Sequence, residues 1–209
     1  VVQAGWEIGV LPTSIPEAFG GFGEYSAVTG AVAAEAFAWG DLAVTLNVMA
    51  PNLVAVPLML AGTEAQKEMY LPHFAAEKAP SFTAALTEPV VQFNPMKLKT
   101  TAVRDEAGYL LNGAKTVVPL ADVAEMFLVY AAEDGVTQAF VVMADSEGLS
   151  VGERNKLMGI HALPTFELEL NDLRVTADAR LGGEEGIDFA DLLTHSRIAL
   201  GAAAVGVAR

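Results

Sequence analysis

Apolar residues recur at helical spacing through the first eighty positions. Between Tyr25 and Trp39 they place Val28, Val32, Ala36 and Trp39 on one face, which predicts an amphipathic helix. Gly40-Asp41 ends it, and Asp41 suits the N-cap of the next helix. Gly62 stands where a helix would finish. Thr63-Glu64-Ala65-Gln66 then predicts a capping box, and the helix it opens should stop near Tyr70-Leu71-Pro72. From Ser81 the period changes. Ser81 to Leu86, Leu98 to Arg104, Tyr109 to Asn112, Met126 to Tyr130, Ala139 to Met143 and Phe166 to Leu170 read as short strands separated by Gly, Asp and Asn. Asp105-Glu106-Ala107-Gly108 reads as a hairpin turn. After Leu181-Gly182-Gly183 the helical pattern returns, from about Ile187 to the end. Helices, then strands, then helix again predict an α+β fold with segregated elements.

The uncharged stretch from Leu42 to Gly62 is long enough to span a bilayer. Asn47, Pro51, Asn52 and Pro57 interrupt it and favour a buried helix pair. Of 209 residues, 53% are hydrophobic and 18% charged, a composition that supports a sizeable core. The formal net charge of −14 argues against nucleic acid and against an anionic membrane surface. With no cysteine there is no disulfide, zinc thiolate or thiol nucleophile. No signal peptide is evident, so the cytoplasm is the expected compartment. Val1 begins abruptly and the helix after Ile198 simply stops, so a fragment of a longer protein is expected.

Several residues invite a chemical role. Gly20-Gly21-Phe22-Gly23 precedes a helix, but no strand precedes it and Ser26 replaces the third glycine of a dinucleotide fingerprint, so a tight turn is expected. Asp188, Asp191 and His195 share a helix face and could ligate a metal; an acidic helix start is the simpler reading. His73 and His161 have no ligand partners nearby in sequence. Arg197 is a lone cation before the Ala/Gly-rich run Ile198 to Gly206. A structural ion pair and a ligand contact are equally open for it.

Taken in order, these segments match a family. Pro16-Glu17-Ala18-Phe19-Gly20-Gly21-Phe22-Gly23, Gly62-Thr63-Glu64-Ala65-Gln66-Lys67 with Tyr70-Leu71-Pro72, and Leu86-Thr87-Glu88-Pro89 do so at the right separations. Gly108-Tyr109-Leu110-Leu111-Asn112-Gly113-Ala114-Lys115, Lys156-Leu157-Met158-Gly159-Ile160 and Asn171-Asp172-Leu173-Arg174-Val175 follow suit, and Arg197 with its helix comes last. The chain resembles the N-terminal and middle domains of acyl-CoA dehydrogenases. The resemblance implies an N-terminal helical domain over 1–80, a β-barrel-like middle domain over 81–186, and over 187–209 the first helix of a C-terminal helical bundle. It also implies α,β-desaturation of an acyl-CoA thioester. A carboxylate takes the α-proton, FAD takes the β-hydride, and an electron-transfer flavoprotein receives the electrons. Homo-oligomers through the bundle are usual in the family.

By the resemblance, Leu86 and Thr87 fall at flavin-ring positions, Val118 on the strand along the flavin, and Arg197 at the CoA end of the substrate site. The base usually lies in the bundle; where members place it before the Arg, this chain has Ser196, so no catalytic residue is expected here. Two stretches depart from the pattern. Val91, Gln92, Phe93 and Asn94 replace small residues and a Ser-Asp pair. Val117, Val118, Pro119 and Leu120 replace an aromatic, Ile, Thr or Ser, and Asn. Pro119 removes a backbone donor and a hydroxyl together. Two readings stay open: a flavoprotein binding FAD in an atypical way, or a flavin-free homologue that serves as a partner subunit or binds acyl-CoA without oxidising it.

Overall fold

The computed structural model describes residues 1–9 and 14–209. Its helices are α1 (Val2–Glu7), α2 (Ala27–Gly40), α3 (Leu42–Met49), α4 (Asn52–Ala61), α5 (Glu64–Tyr70) and α6 (Phe189–Ala208). Its strands are β1 (Phe82–Ala85), β2 (Thr101–Asp105), β3 (Gly108–Pro119), β4 (Met126–Glu133), β5 (Val136–Met143), β6 (Leu149–Arg154) and β7 (Thr165–Val175). They form one mixed sheet in the order β1-β4-β2-β3-β7-β6, with β5 on β4, curled into a half-barrel.

Local chemistry sets the helix ends. Asp41 caps α3, its Oδ1 accepting from the Val44 N–H at 2.8 Å. The Thr63/Gln66 capping box forms in both directions. Gln66 does more than cap. Its buried amide donates to the carbonyls of Asp178 (2.9 Å) and Arg180 (2.8 Å), and its Oε1 also accepts from Gly182 N–H (3.0 Å). One side chain thus ties α5 to the segment that leads into α6. The uncharged stretch divides into α3 and α4, bent by 46°. Among the described residues no single helix is long and apolar enough to cross a membrane. Val54, Ala55 and Leu58 of α4 are fully buried in the protein core.

Strand alternation builds two cores. Met126, Leu128 and Tyr130 of β4 and Ala139 and Val141 of β5 face the helical layer. Phe127, Val129, Ala131, Phe140 and Val142, between them, fill the inside of the curled sheet with Leu111, Val118, Leu168 and Leu173. Both faces of β4 are therefore dry, which is why its sequence reads as an unbroken apolar run.

Two expectations need correction. The strand over Leu149–Arg154 is absent from the sequence reading: it is largely exposed and Gly152 interrupts it, so it carries no apolar signal. In α2 the apolar face points the other way. Val28 (75% exposed), Val32 (64%) and Trp39 (69%) face outward, while Ala34 and Ala38 are buried against Ala203 of α6. The cause is close approach. A Cβ on Gly206 of α6 would lie 2.2 Å from the Glu35 carbonyl oxygen, so the small residues of the two helices bring their backbones together.

Candidate functional site

After β1 the chain leaves the sheet as Leu86-Thr87-Glu88-Pro89. Glu88 turns inward and is buried. Its carboxylate accepts the backbone N–H of Lys99 and of Thr100, each at 2.8 Å, and the Lys115 ammonium at 3.1 Å. Lys115, fully buried on β3, also donates to the Leu86 carbonyl at 3.2 Å. Above this clamp the Thr116 N–H donates to the Thr87 carbonyl at 2.8 Å. Leu86 and Thr87, half-buried, are thereby held beside Thr116-Val117-Val118. Two segments about thirty residues apart in sequence thus meet as one surface.

Burial draws the Lys115 ammonium down to about 8, against the favourable pull of Glu88. Burial alone would raise the Glu88 carboxyl; the hydrogen bonds from Lys99 and Thr100 and the Lys115 charge outweigh it, and the group lies below its ordinary value. The pair is charged and fully partnered at neutral pH. Its geometry holds the loop in place and leaves no free base.

The other expected residues are placed as follows. Val118 is buried inside the sheet, paired across to Phe166, so a ligand lying along this strand would meet Val117 and Pro119 instead. Val117 is 40% exposed and sits in a β3 bulge with φ of 56°. Its N–H donates to Asn155 Oδ1 at 3.2 Å, and the Asn155 amide approaches Thr116 Oγ1 at 3.5 Å. The Leu120 N–H donates to the Pro164 carbonyl, and Leu120 has φ of 55°. The Pro119 carbonyl accepts the Thr83 hydroxyl at 2.7 Å. Arg197 is exposed on α6, and no ion pair among the described residues includes it. Ser196 is exposed beside it.

The altered loop after Pro89 has a definite shape. Val91 is almost wholly exposed, and Gln92 is exposed with φ of 61°, a conformation that favours glycine. Phe93 packs half-buried against the core below the helical layer. Asn94 Oδ1 accepts the Met96 N–H at 3.0 Å and closes a local turn.

Other candidates resolve simply. Gly20 and Gly21 form a turn, Gly20 with φ of 87°. Asp188 caps α6 through the Asp191 N–H at 3.1 Å, and His195 bonds Tyr25 Oη at 2.9 Å. Among the described residues no cluster of three or more acidic or histidine side chains could hold a metal ion. A cavity of about 410 Å³ opens between Arg154 and Thr165, with Asn155, Lys156, Leu157 and His161 on its wall, and Asn155 joins that wall to Thr116 and Val117 of β3.

Would this surface fit an isoalloxazine ring? The backbone course does: β1 delivers Leu86 and Thr87 against the end of β3. The polar groups do not. A flavin edge needs hydrogen-bond donors, yet on the β3 side the N–H groups of Thr116, Val117 and Leu120 are committed to protein acceptors and Pro119 has none, which leaves the hydroxyls of Thr87 and Thr116 as donors without a partner among the described residues. The residues present do not fit the group in the manner that the resemblance implies.

Sequence reasoning missed the Glu88–Lys115 clamp, the tie made by Gln66, and the role of Asn155. A glutamate directly before a proline and a lysine inside a strand pattern were the available hints; their partnership is a matter of tertiary distance.

Comparison with known proteins gives a consistent answer. Residues 1–78 match the model of the acyl-CoA dehydrogenase N-terminal domain, and residues 83–173 that of the acyl-CoA dehydrogenase middle domain. A probable acyl-CoA dehydrogenase of Bacillus subtilis is 32% identical over 210 residues, covering 97% of this chain and 35% of that protein. A caffeyl-CoA reductase-Etf complex subunit of Acetobacterium woodii is 32% identical over 214 residues, covering 97% of this chain and 55% of the other. The structure of a Bacillus anthracis acyl-CoA dehydrogenase complexed with FAD superposes with a TM-score of 0.82 at 32% identity, over 98% of this chain and 36% of that one. The chain therefore spans between about a third and a little over half of the length of these relatives.

Proposed function

Because this chain belongs to the acyl-CoA dehydrogenase family, carrying its N-terminal and middle domains, we propose that the whole protein handles acyl-CoA thioesters within a dehydrogenase-like assembly. The observation that carries this reading is the continuity of the likeness. Helical layer, curled sheet and α6 superpose together on a dehydrogenase structure, and α6 brings Arg197 with it, exposed and free of any acidic partner within 4 Å among the described residues. An exposed guanidinium on a chain of net charge −14 is a fitting contact for the phosphates of CoA.

The reaction of that assembly is α,β-desaturation with FAD as hydride acceptor, and an electron-transfer flavoprotein is the fitting electron acceptor. The naming of an Etf complex for the Acetobacterium woodii relative supports such a partner. Oligomerisation of the whole protein and a cytoplasmic location accompany this reading. The test is calorimetric titration of the full-length protein with saturated acyl-CoAs and with free CoA. Binding that weakens about tenfold in Arg197→Ala, the worth of one or two charge-assisted hydrogen bonds, is expected. No measurable binding of any acyl-CoA would sink the proposal.

A further inference from the structure

Of the six described non-glycine residues with left-handed backbone, three lie in the two stretches that depart from the family pattern: Gln92 at φ 61°, Val117 at 56° and Leu120 at 55°. Each side chain is poorly suited to that conformation, and Val, being β-branched, is the least suited. The backbone here follows a path that glycine or asparagine would take without strain, while the residues present are Gln, Val and Leu. The same two loops lack the Ser-Asp pair and the strand hydroxyl that the resemblance implies. Phe93 turns its ring onto the core next to the helical layer. Pro119 has no N–H, and its carbonyl is taken by Thr83. Asn155 satisfies Val117 N–H and approaches the Thr116 hydroxyl, and Pro164 satisfies Leu120 N–H. The backbone donors of the strand end are thus satisfied internally, and Val117 and Pro119 present hydrocarbon beside the Thr116 hydroxyl.

From this we infer that the chain does not seat a flavin at the end of β3, so that the FAD of the assembly proposed above is carried by another chain. The inference rests on the acyl-CoA reading above and deepens it. An isoalloxazine lying against the end of β3 would meet backbone N–H groups already committed to protein acceptors, and Pro119, which has none, with the hydroxyls of Thr87 and Thr116 as the donors left. A buried polar group left unpaired opposes binding. The loop after Pro89 adds to the penalty, because exposed Val91 and Gln92 stand where close backbone approach to a phosphate requires small residues.

The experiment uses the full-length protein, purified without added cofactor and then titrated with FAD, with flavin absorbance and fluorescence as readouts. The expected result is a colourless protein with no saturable FAD uptake that still binds acyl-CoA. Flavin co-purifying at about one per chain, or saturable FAD uptake, would overturn the inference. Loss of acyl-CoA binding in the same sample defeats the earlier reading and leaves the flavin result standing, so the two failures are distinct. A second arm restores the polar and small groups in one variant: Gln92→Gly, Phe93→Ser, Pro119→Thr and Leu120→Asn. Saturable FAD uptake should then appear, from a gain of about 100-fold or more in affinity, the worth of two restored hydrogen bonds at about tenfold each. A folded variant with no gain overturns the assignment to these side chains. Should the fourfold variant fail to fold, the pair Phe93→Ser and Pro119→Thr is read in the same way, and the wild-type titration decides in either case.

Discussion

Lys115 reaches from β3 to Glu88 in the loop after β1, with Nζ 3.1 Å from Oε1 and neither side chain open to solvent. The link is structural, because every polar atom of the pair points at a protein partner. Removing one member leaves the other charged and unpaired. Lys115→Met and Glu88→Gln should each cost about 3–5 kcal/mol, read as a fall in the urea midpoint at neutral pH. A loss under about 1 kcal/mol in both would show that water reaches the pair.

The same pair sets a pH dependence. Lys115 titrates near 8 in the folded protein, against an ordinary 10.5. Below 8 both states hold the proton and the group adds no slope. Between 8 and 10.5 the unfolded chain binds the extra proton, so this group makes stability rise with pH. Glu88 is displaced downward from its ordinary 4.5, so its contribution is present above that value and is lost as pH falls toward the folded value. Urea midpoints of wild type minus Lys115→Met, measured from pH 7 to 10.5, should rise across that window. A flat difference would contradict the placement of the lysine.

Much of this architecture is legible in the residues. The capping box at Thr63 and Gln66, the cap at Asp41, the hairpin at Asp105–Gly108 and the apolar runs of β1, β4 and β5 each rest on a short-range rule, and each appears where the rule puts it. The failures share a cause. Val28, Val32 and Trp39 form a better apolar face than Ala34 and Ala38, yet the alanines are inside, because the Gly206 crossing rewards backbone proximity over side-chain area. β6 was invisible because it pairs with β7 through its backbone while its side chains are exposed. For the candidate site, Leu86, Thr87 and the substitutions at Phe93 and Pro119 were readable. The burial of Val118 and the capture of the Val117 N–H by Asn155 were not, since a bulge decides which side chain of β3 faces outward.

The helix crossing offers a direct contrast. Gly206→Val places atoms where the Glu35 carbonyl lies, so α2 and α6 must part; a loss of about 1–3 kcal/mol is expected. Val32→Ser, on the outer face of α2, should stay within about 0.5 kcal/mol. Thermal melting of the 209-residue chain checks both, and a reversed ranking would mean that the apolar face of α2 is the packed one.

Strain at the left-handed positions makes a last prediction, one that needs no ligand. A side chain with a Cβ pays about 1–2 kcal/mol in this region, and glycine or asparagine relieves much of it. Gln92→Gly and Leu120→Asn should each raise stability by about 1 kcal/mol, since Gln92 is exposed and Leu120 is outside both main cores. Asp134, at φ 50° in the turn before Gly135, is the control: aspartate tolerates the conformation, and Asp134→Gly should change stability by only a few tenths of a kcal/mol. Urea midpoints of the three variants settle the order. Gains at 92 and 120 with none at 134 would show that these loops keep a backbone shape their present side chains do not favour.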